Sequence, residues 1–255
     1  MGEVGAAAAT KNVRGRCETV HMTVYLFAHA HPDDETLASG VLIAHLADLG
    51  HEVFVLTATR GEMGDVVPGP LSKLAGTPEL TAHREGELAG ALRELGVSGS
   101  AWLGEASARA VADHRTYRDS GMRWVTPTVA GPADSTDERA LSVAPLSEVA
   151  ADVAAYARTI GAQAIVSYDA DGGYGHPDHV RMHEASVLAA AELGIPFRAL
   201  TYEAGPGVKW FELDDLLPRA VAALRHHASQ VSVVGDEVVH SGGQREPIVT
   251  KVGLR

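Results

Sequence analysis

The stretch from Thr23 to Gly40 constrains the fold more than any other part of the chain. Val24-Tyr25-Leu26-Phe27-Ala28 is a short apolar run with little alternation, the pattern of a strand buried on both faces. It breaks into His29-Ala30-His31-Pro32-Asp33-Asp34-Glu35. Leu37, Val41, Leu42, His45, Leu46 and Leu49 then recur at helical spacing, and Gly50 stops the segment. A strand covered on both faces calls for a parallel sheet flanked by helices. The polar cluster falls where that strand hands over to its helix, which is where open α/β sheets bind ligands.

The rest of the chain repeats the alternation. Apolar runs predict further strands over 52–59, 101–103, 164–168 and 197–203, and 3.6-residue periodicity predicts helices from Thr81 to Gly96 and over 146–160, 177–193 and 214–227. The expected fold class is α/β: a doubly wound, mainly parallel sheet of order 3-2-1-4-5, Rossmann-like, with helices on both faces. Residues 104–145 form one long irregular region, of the kind that serves as a lid or a functional loop. Strand-like pieces beyond Val231 have no assigned place. Residues 1–21 read as a poorly ordered extension, with Met22 a second candidate start, and 22–255 as a single catalytic domain.

Composition narrows the partners. At 255 residues and 45% hydrophobic content, the chain can bury one sizeable core. The net charge is −12 and no basic stripe is visible, which argues against nucleic acid and anionic membrane surfaces. No apolar run approaches the ~20 residues of a membrane span. Charges follow the Ala6 to Ala9 patch instead of preceding it, unlike a signal peptide, so the expected location is cytoplasmic. The single cysteine, Cys17, excludes an intramolecular disulfide and a cysteine-rich metal site. Homo-oligomerisation is left open.

A second polar cluster follows the strand at 164–168: Asp169-Ala170-Asp171-Gly172-Gly173-Tyr174-Gly175-His176-Pro177-Asp178-His179. Pro177 suits a first helical position, which makes His176 the N-cap. In the expected sheet order the two clusters face one crevice and together offer His31, Asp33, Asp34, His176, Asp178 and His179. That is a donor set for a divalent metal, zinc first, with Fe2+ or another first-row ion as the alternative. His31 and Asp34 are spaced to chelate across a turn and His179 completes a three-ligand set with a position left for water. Singly, each residue also has a structural reading: Asp33 or Asp178 as a helix cap, Glu35 as an acidic group favoured by the helix dipole, Asp119 as a turn former. His45, His51, His114, His183 and His240 are given the structural reading.

Ala30-His31-Pro32-Asp33-Asp34-Glu35 with the later His176-Pro177-Asp178-His179 resembles the PIG-L/LmbE-like N-deacetylases, zinc enzymes acting on N-acetylglucosaminyl substrates. Thr59-Arg60-Gly61-Glu62, the helix start at Arg84-Glu85-Glu87 and Gly172-Gly173-Tyr174 extend the resemblance over about 22–245. Arg118-Asp119-Ser120-Gly121-Met122 and His227-Ala228-Ser229-Gln230 resemble the actinobacterial branch in mycothiol metabolism. The resemblance implies His31, Asp34 and His179 as metal ligands and Asp33 as general base. It implies His176 as oxyanion stabiliser or acid for the leaving amine, with Asp178 setting its tautomer and Tyr174 bringing a hydroxyl to the oxyanion. Arg60, Glu62, Arg84, Asp119 and His227 are the candidates for binding sugar hydroxyls or shaping the pocket. The implied partner is a small N-acylated amino sugar or glycoside.

Two other classes compete. His29-Ala30-His31-Pro32-Asp33-Asp34 is similar to the His-x-His-x-Asp-His cluster of metallo-β-lactamase-fold hydrolases, with Asp34 where that cluster needs His; His29 would then be a ligand. A non-catalytic sugar-binding protein would have no use for Asp33. Within the mycothiol branch, Ala38 stands where the S-conjugate amidases carry a nearby Lys, which points to deacetylation. The chain ends earlier than the mycothiol enzymes and has extra residues before Arg118. Both differences border the substrate side and leave room for a natural-product (antibiotic) amino sugar instead.

Overall fold

Strand β1, Val24–His29, is an inner strand of a seven-stranded sheet in a computed structural model of the chain. The structure describes residues 22–112, 115–134 and 137–255, and the backbone of two short strands, Ala9–Lys11 and Cys17–Thr19, that pair antiparallel. The remainder of the expected 1–21 extension, and His114, lie outside the described residues.

Five strands of the sheet are parallel: β1, β2 (Glu52–Thr57), β3 (Gly99–Trp102), and then, after an inserted hairpin of β4 (Met122–Thr126) and β5 (Val129–Pro132), β6 (Ala164–Ser167) and β7 (Phe197–Thr201). Phe27 sits opposite both Val55 of β2 and Val166 of β6. The helices are α1 (Asp34–Asp48), α2 (Pro78–Leu95), α3 (Leu146–Ile160), α4 (Pro177–Leu193) and α5 (Leu217–Leu224). Late strands β8 (Lys209–Glu212), β9 (Val231–Val234), β10 (Glu237–His240), β11 (Arg245–Pro247) and β12 (Lys251–Leu254) complete the chain. The sheet order is 3-2-1-6-7-12-8, with β12 and β8 added antiparallel at one edge, and β9–β11 form a separate small sheet. The expected order 3-2-1-4-5 is thus present, its last two strands being β6 and β7. The strand-like tail supplies the two edge additions and the small sheet.

The inner parallel strands β1, β2 and β6 largely bury both faces, while β3 and β7 stay partly exposed. Phe27, Val53, Val55 and Val166 pack with α1, α2 and α5, while Leu26, Ala28, Leu56 and Ile165 pack with α3 and α4. Leu26 and Phe27 are fully buried, each worth about 1.5–3 kcal/mol of apolar transfer. Helix α2 opens at Pro78, three residues before the expected Thr81, because Pro78 occupies the first turn. The last helix is shorter than 214–227: a 3₁₀ turn at Asp214–Leu216 precedes it. Because β1 crosses to β2 on one side and β6 pairs on the other, the sheet has its switch point between β1 and β6, and both polar clusters emerge there.

Candidate active site

The turn from β1 to α1 is strained. Asp33 has φ 113° and ψ −34°, the sole positive φ of a non-glycine residue among the described residues. Such a conformation costs about 1–3 kcal/mol and persists only where neighbours enforce it. Here its carbonyl accepts from the Thr36 and Leu37 amides at 3.0 and 2.8 Å, its own N–H donates to Glu35 Oε2 at 2.9 Å, and its carboxylate accepts from Arg84 Nη2 at 3.2 Å. Burial pushes the Asp33 carboxyl up to about 6, against the pull of the Arg84 guanidinium.

Asp34 lies between two imidazoles. Its Oδ2 is 3.2 Å from His31 Nδ1 and its Oδ1 is 3.3 Å from His179 Nε2. Oδ2 is already taken by the Tyr168 hydroxyl (2.8 Å) and the His31 amide (2.9 Å). Burial would raise the Asp34 carboxyl, but His179 and His31 hold it well below the usual range. The outer nitrogen of each imidazole has its own acceptor. His31 Nε2 meets Asp178 Oδ2 at 3.1 Å, and His179 Nδ1 meets the Gly172 carbonyl at 3.1 Å. That turns Nδ1 of His31 and Nε2 of His179 inward beside Asp34, the orientation metal-binding histidines use. His179 Nε2 is buried with no hydrogen-bond partner. One ligand atom each of His31, His176 and His179 lie within 4.8 Å of one another, and so do those of His31, Asp119 and Asp178. This donor set fits a divalent metal.

His176 caps α4, its Nδ1 accepting from the Asp178 amide at 3.2 Å, as the sequence predicts. The proton is then on Nε2. Burial and the adjacent His31 and His179 imidazoles push the ring down to about 2, so it is a neutral donor. The Asp178 carboxylate, expected to set the His176 tautomer, is directed elsewhere. Its oxygens take His31 Nε2, the Ser120 amide (2.9 Å) and the Ser120 hydroxyl. It is the Asp178 backbone that fixes the His176 tautomer. Burial opposes ionisation of Asp178, and its bond to His31 lowers it overall. Tyr174 stands at the mouth, half-exposed, its ring 5.2 Å from that of His179 and 5.7 Å from Trp124.

The five candidates for binding sugar hydroxyls or shaping the pocket are each engaged with other groups of the chain. Arg84 is buried, donating to the carbonyls of Gly61 (2.6 Å) and Pro32 as well as to Asp33. Arg60 pairs with Glu85 and Glu105 and stacks on Trp102. Glu62 accepts the Asp119 amide at 3.0 Å, and Asp119 accepts the amides of Met63 and Gly121. His227 has no exposed surface and meets Glu35 Oε1 at 2.8 Å. His29 is buried, bonded to Ser39 Oγ at 3.1 Å and pushed down to about 4 by burial. The parallel sheet does not suit the metallo-β-lactamase reading that needed it as a ligand.

Four contributors went unassigned in the sequence: Tyr168, Ser120, Glu35 and Trp124. Tyr168 ends a strand, and its hydroxyl accepts the Ala30 amide at 2.8 Å as it donates to Asp34. Ser120 and Trp124 lie in the long irregular region, where no periodicity marks direction. Glu35 reads as a dipole-favoured surface acid, yet it has no exposed surface. An ionisable residue followed by Thr36 and facing a helix otherwise apolar was the available signal.

The profile of the family described as PIG-L: GlcNAc-PI de-N-acetylase matches residues 26–190. A 1D-myo-inositol 2-acetamido-2-deoxy-alpha-D-glucopyranoside deacetylase of Kineococcus radiotolerans is 46% identical over 183 residues, covering 71% of this chain and 46% of its own. A protein of the same description from Nocardioides sp. is 40% identical over 187 residues, covering 72% and 58%. The chain therefore spans about half the length of these relatives. Teicoplanin deacetylase Orf2, in a zinc-inhibited form, superposes with a TM-score of 0.56 at 20% identity, over 82% of this chain and 85% of its own, and shares the fold. No helix among the described residues is long and apolar enough to cross a membrane. With two thirds of its length matched by the family profile and both histidine-aspartate clusters brought to one crevice, this chain belongs to the PIG-L (GlcNAc-PI de-N-acetylase) family.

Proposed function

We propose that the chain is a zinc-dependent amide hydrolase that removes the acetyl group from an N-acetylglucosaminyl glycoside, with His31, Asp34 and His179 holding the metal. One observation carries the reading: a strained Asp33, its carboxyl pushed up to about 6, directly precedes Asp34, whose oxygens face the inner nitrogens of two histidines while their outer nitrogens are engaged elsewhere. The names of the relatives support the substrate class. When bound, such a metal lowers the pKa of water and polarises a carbonyl oxygen.

The chain's own residues then divide the work. Asp33 takes a proton from the attacking water as its oxygen bonds to the amide carbon. A general base near neutrality suits this at physiological pH. Nε2–H of His176 donates to the oxygen on which negative charge develops, fixed in that tautomer by the Asp178 amide. When the C–N bond breaks, the proton held by Asp33 passes to the departing nitrogen, giving acetate and a free amine. Tyr174, at the mouth, contacts the sugar.

Free-amine release by the zinc-loaded protein tests this on N-acetylglucosaminyl-inositol, a mycothiol S-conjugate, N-acetylglucosamine and chitobiose. Release from the inositol glycoside is expected, and Asp33→Ala should keep the metal while losing about 10²–10⁴ in rate. Stoichiometric zinc in His179→Ala, or a wild-type rate in Asp33→Ala, refutes the assigned roles. Turnover of the S-conjugate alone would make the chain an amidase instead.

A further inference from the structure

Glu35 is a fully engaged, buried carboxylate that the proposed reaction leaves without a part. It is fully buried in the first turn of α1. Its Oε2 accepts the backbone N–H of Asp33 at 2.9 Å, the residue with the positive φ. Its Oε1 meets His227 Nε2 at 2.8 Å, brought from 192 residues away, and also accepts the Thr36 hydroxyl. His227 is itself fully buried, and its Nδ1 has no partner, so its proton sits on Nε2 and points at Glu35. An acid that merely complements a helix N-terminus stays in water. Sinking one together with an imidazole is costly, and here the remaining carboxylate oxygen is spent on a single strained amide.

We propose that Glu35 and His227 are a positioning pair that holds the Asp33 backbone in its positive-φ conformation, so that the Asp33 carboxylate stands in its working place. Arg84 holds the same residue from the other side, through the Asp33 carboxylate and the Pro32 carbonyl. Asp33 is clamped at its amide and at its side chain, and neither clamp touches the inward nitrogens of His31 and His179. The inference rests on Asp33 being the proton acceptor. It separates the pair's effect on turnover from metal binding.

The test compares Glu35→Ala, Glu35→Gln, Asp33→Ala and the double variant Asp33→Ala/Glu35→Ala in the zinc-loaded protein. Misplacing a reacting group by about 1 Å costs on the order of 10²-fold, so Glu35→Ala should lose about 10² in kcat with KM within about two-fold and zinc content unchanged. Glu35→Gln should recover most of the loss: its amide oxygen accepts the Asp33 N–H, and its NH₂ donates to His227 in the other tautomer. The double variant should be no slower than Asp33→Ala, because Glu35 acts through Asp33. In the metal-free protein, amide exchange at Asp33 should quicken in Glu35→Ala and not in Glu35→Gln. If Glu35→Ala does not fold, His227→Gln against His227→Ala makes the same comparison, since Gln keeps a donor for Glu35. A wild-type rate in Glu35→Ala (or in His227→Ala), losses that multiply in the double variant, or unchanged exchange at Asp33 would overturn the pair. A wild-type rate in Asp33→Ala with quickened exchange in Glu35→Ala would instead overturn the base assignment and leave the clamp standing.

Discussion

Graded changes at Asp178 distinguish what its carboxylate does. Asp178 is fully buried, and its Oδ2 accepts from both His31 Nε2 and the Ser120 amide while Oδ1 takes the Ser120 hydroxyl. Carboxylates behind a metal-binding histidine typically contribute 10–100-fold to metal affinity. Asp178→Asn can place its carbonyl oxygen on the Oδ2 side and its NH₂ toward Ser120 Oγ, which can reverse its hydroxyl. That variant keeps the acceptor for His31 and loses only the charge, so its zinc affinity should fall toward the lower bound, about 10-fold or about 1.4 kcal/mol. Asp178→Ala frees the imidazole to turn and should approach about 100-fold, about 2.7 kcal/mol. Competition titration of the metal-free protein against a chelating indicator reads both values. If wild type and both variants bind zinc equally while kcat falls, the carboxylate works through His176, and its assignment to His31 is wrong.

Other perturbations give sharper structural readouts. Gly61→Ala should cost about 2–4 kcal/mol in urea unfolding, because Gly61 has φ +66° and an added Cβ would lie 1.9 Å from Arg84 Nη1; unchanged stability would show that Arg84 can retreat freely. Tyr168→Phe should cost about 1–3 kcal/mol in the same assay, since the buried Ala30 amide loses its acceptor; a neutral result would mean the hydroxyl bond to Ala30 is dispensable. Trp124→Ala should raise KM for a glycoside by about 2–10-fold through lost ring contact, with kcat unchanged; steady-state kinetics on a glycoside and on free N-acetylglucosamine would expose an effect on both, which would contradict a contact outside the acetamido sugar.

The fold was legible where burial on both faces left an unmistakable pattern. Val24 to Ala28 and Ala164 to Ser167 can only be inner parallel strands, and the polar residues following each are then forced to the switch point. The antiparallel additions β8 and β12 were not legible, because Lys209–Glu212 and Lys251–Leu254 alternate weakly and find their partners only in space. Within the site, the His31-Asp34 spacing and the Pro177 cap are local features, and they read directly. Direction is not local. Asp178 lies two residues from His176, yet its carboxylate goes to His31 because Ser120, from a loop 58 residues away, holds it there. His227 and Glu35 are 192 residues apart, and neither alone signals a buried pair.

Those displaced assignments share one physical cause. Charged residues beside a strand end look like ligand contacts, but a site with Asp33, Asp34, Asp119 and Asp178 crowded together needs cations and N–H donors merely to hold its shape. Arg84 answers Asp33, the Met63 and Gly121 amides answer Asp119, and Ser120 answers Asp178. Groups committed in this way already have partners within the chain. On the proposed function, contact with the glycoside would then fall to side chains that remain at the mouth: Tyr174, Trp124 and Met63, all substantially exposed and all on loops or on the inserted hairpin. The buried supports fix where the reacting carboxylate and imidazoles stand, so their loss should register in kcat or metal affinity. On that proposal the loop residues would meet what lies beyond the acetamido group, so their loss should register in KM and in the choice of glycoside. A scaffold divided in this way can change its substrate by altering exposed residues such as Met63, Trp124 and Tyr174 while leaving the reacting centre intact.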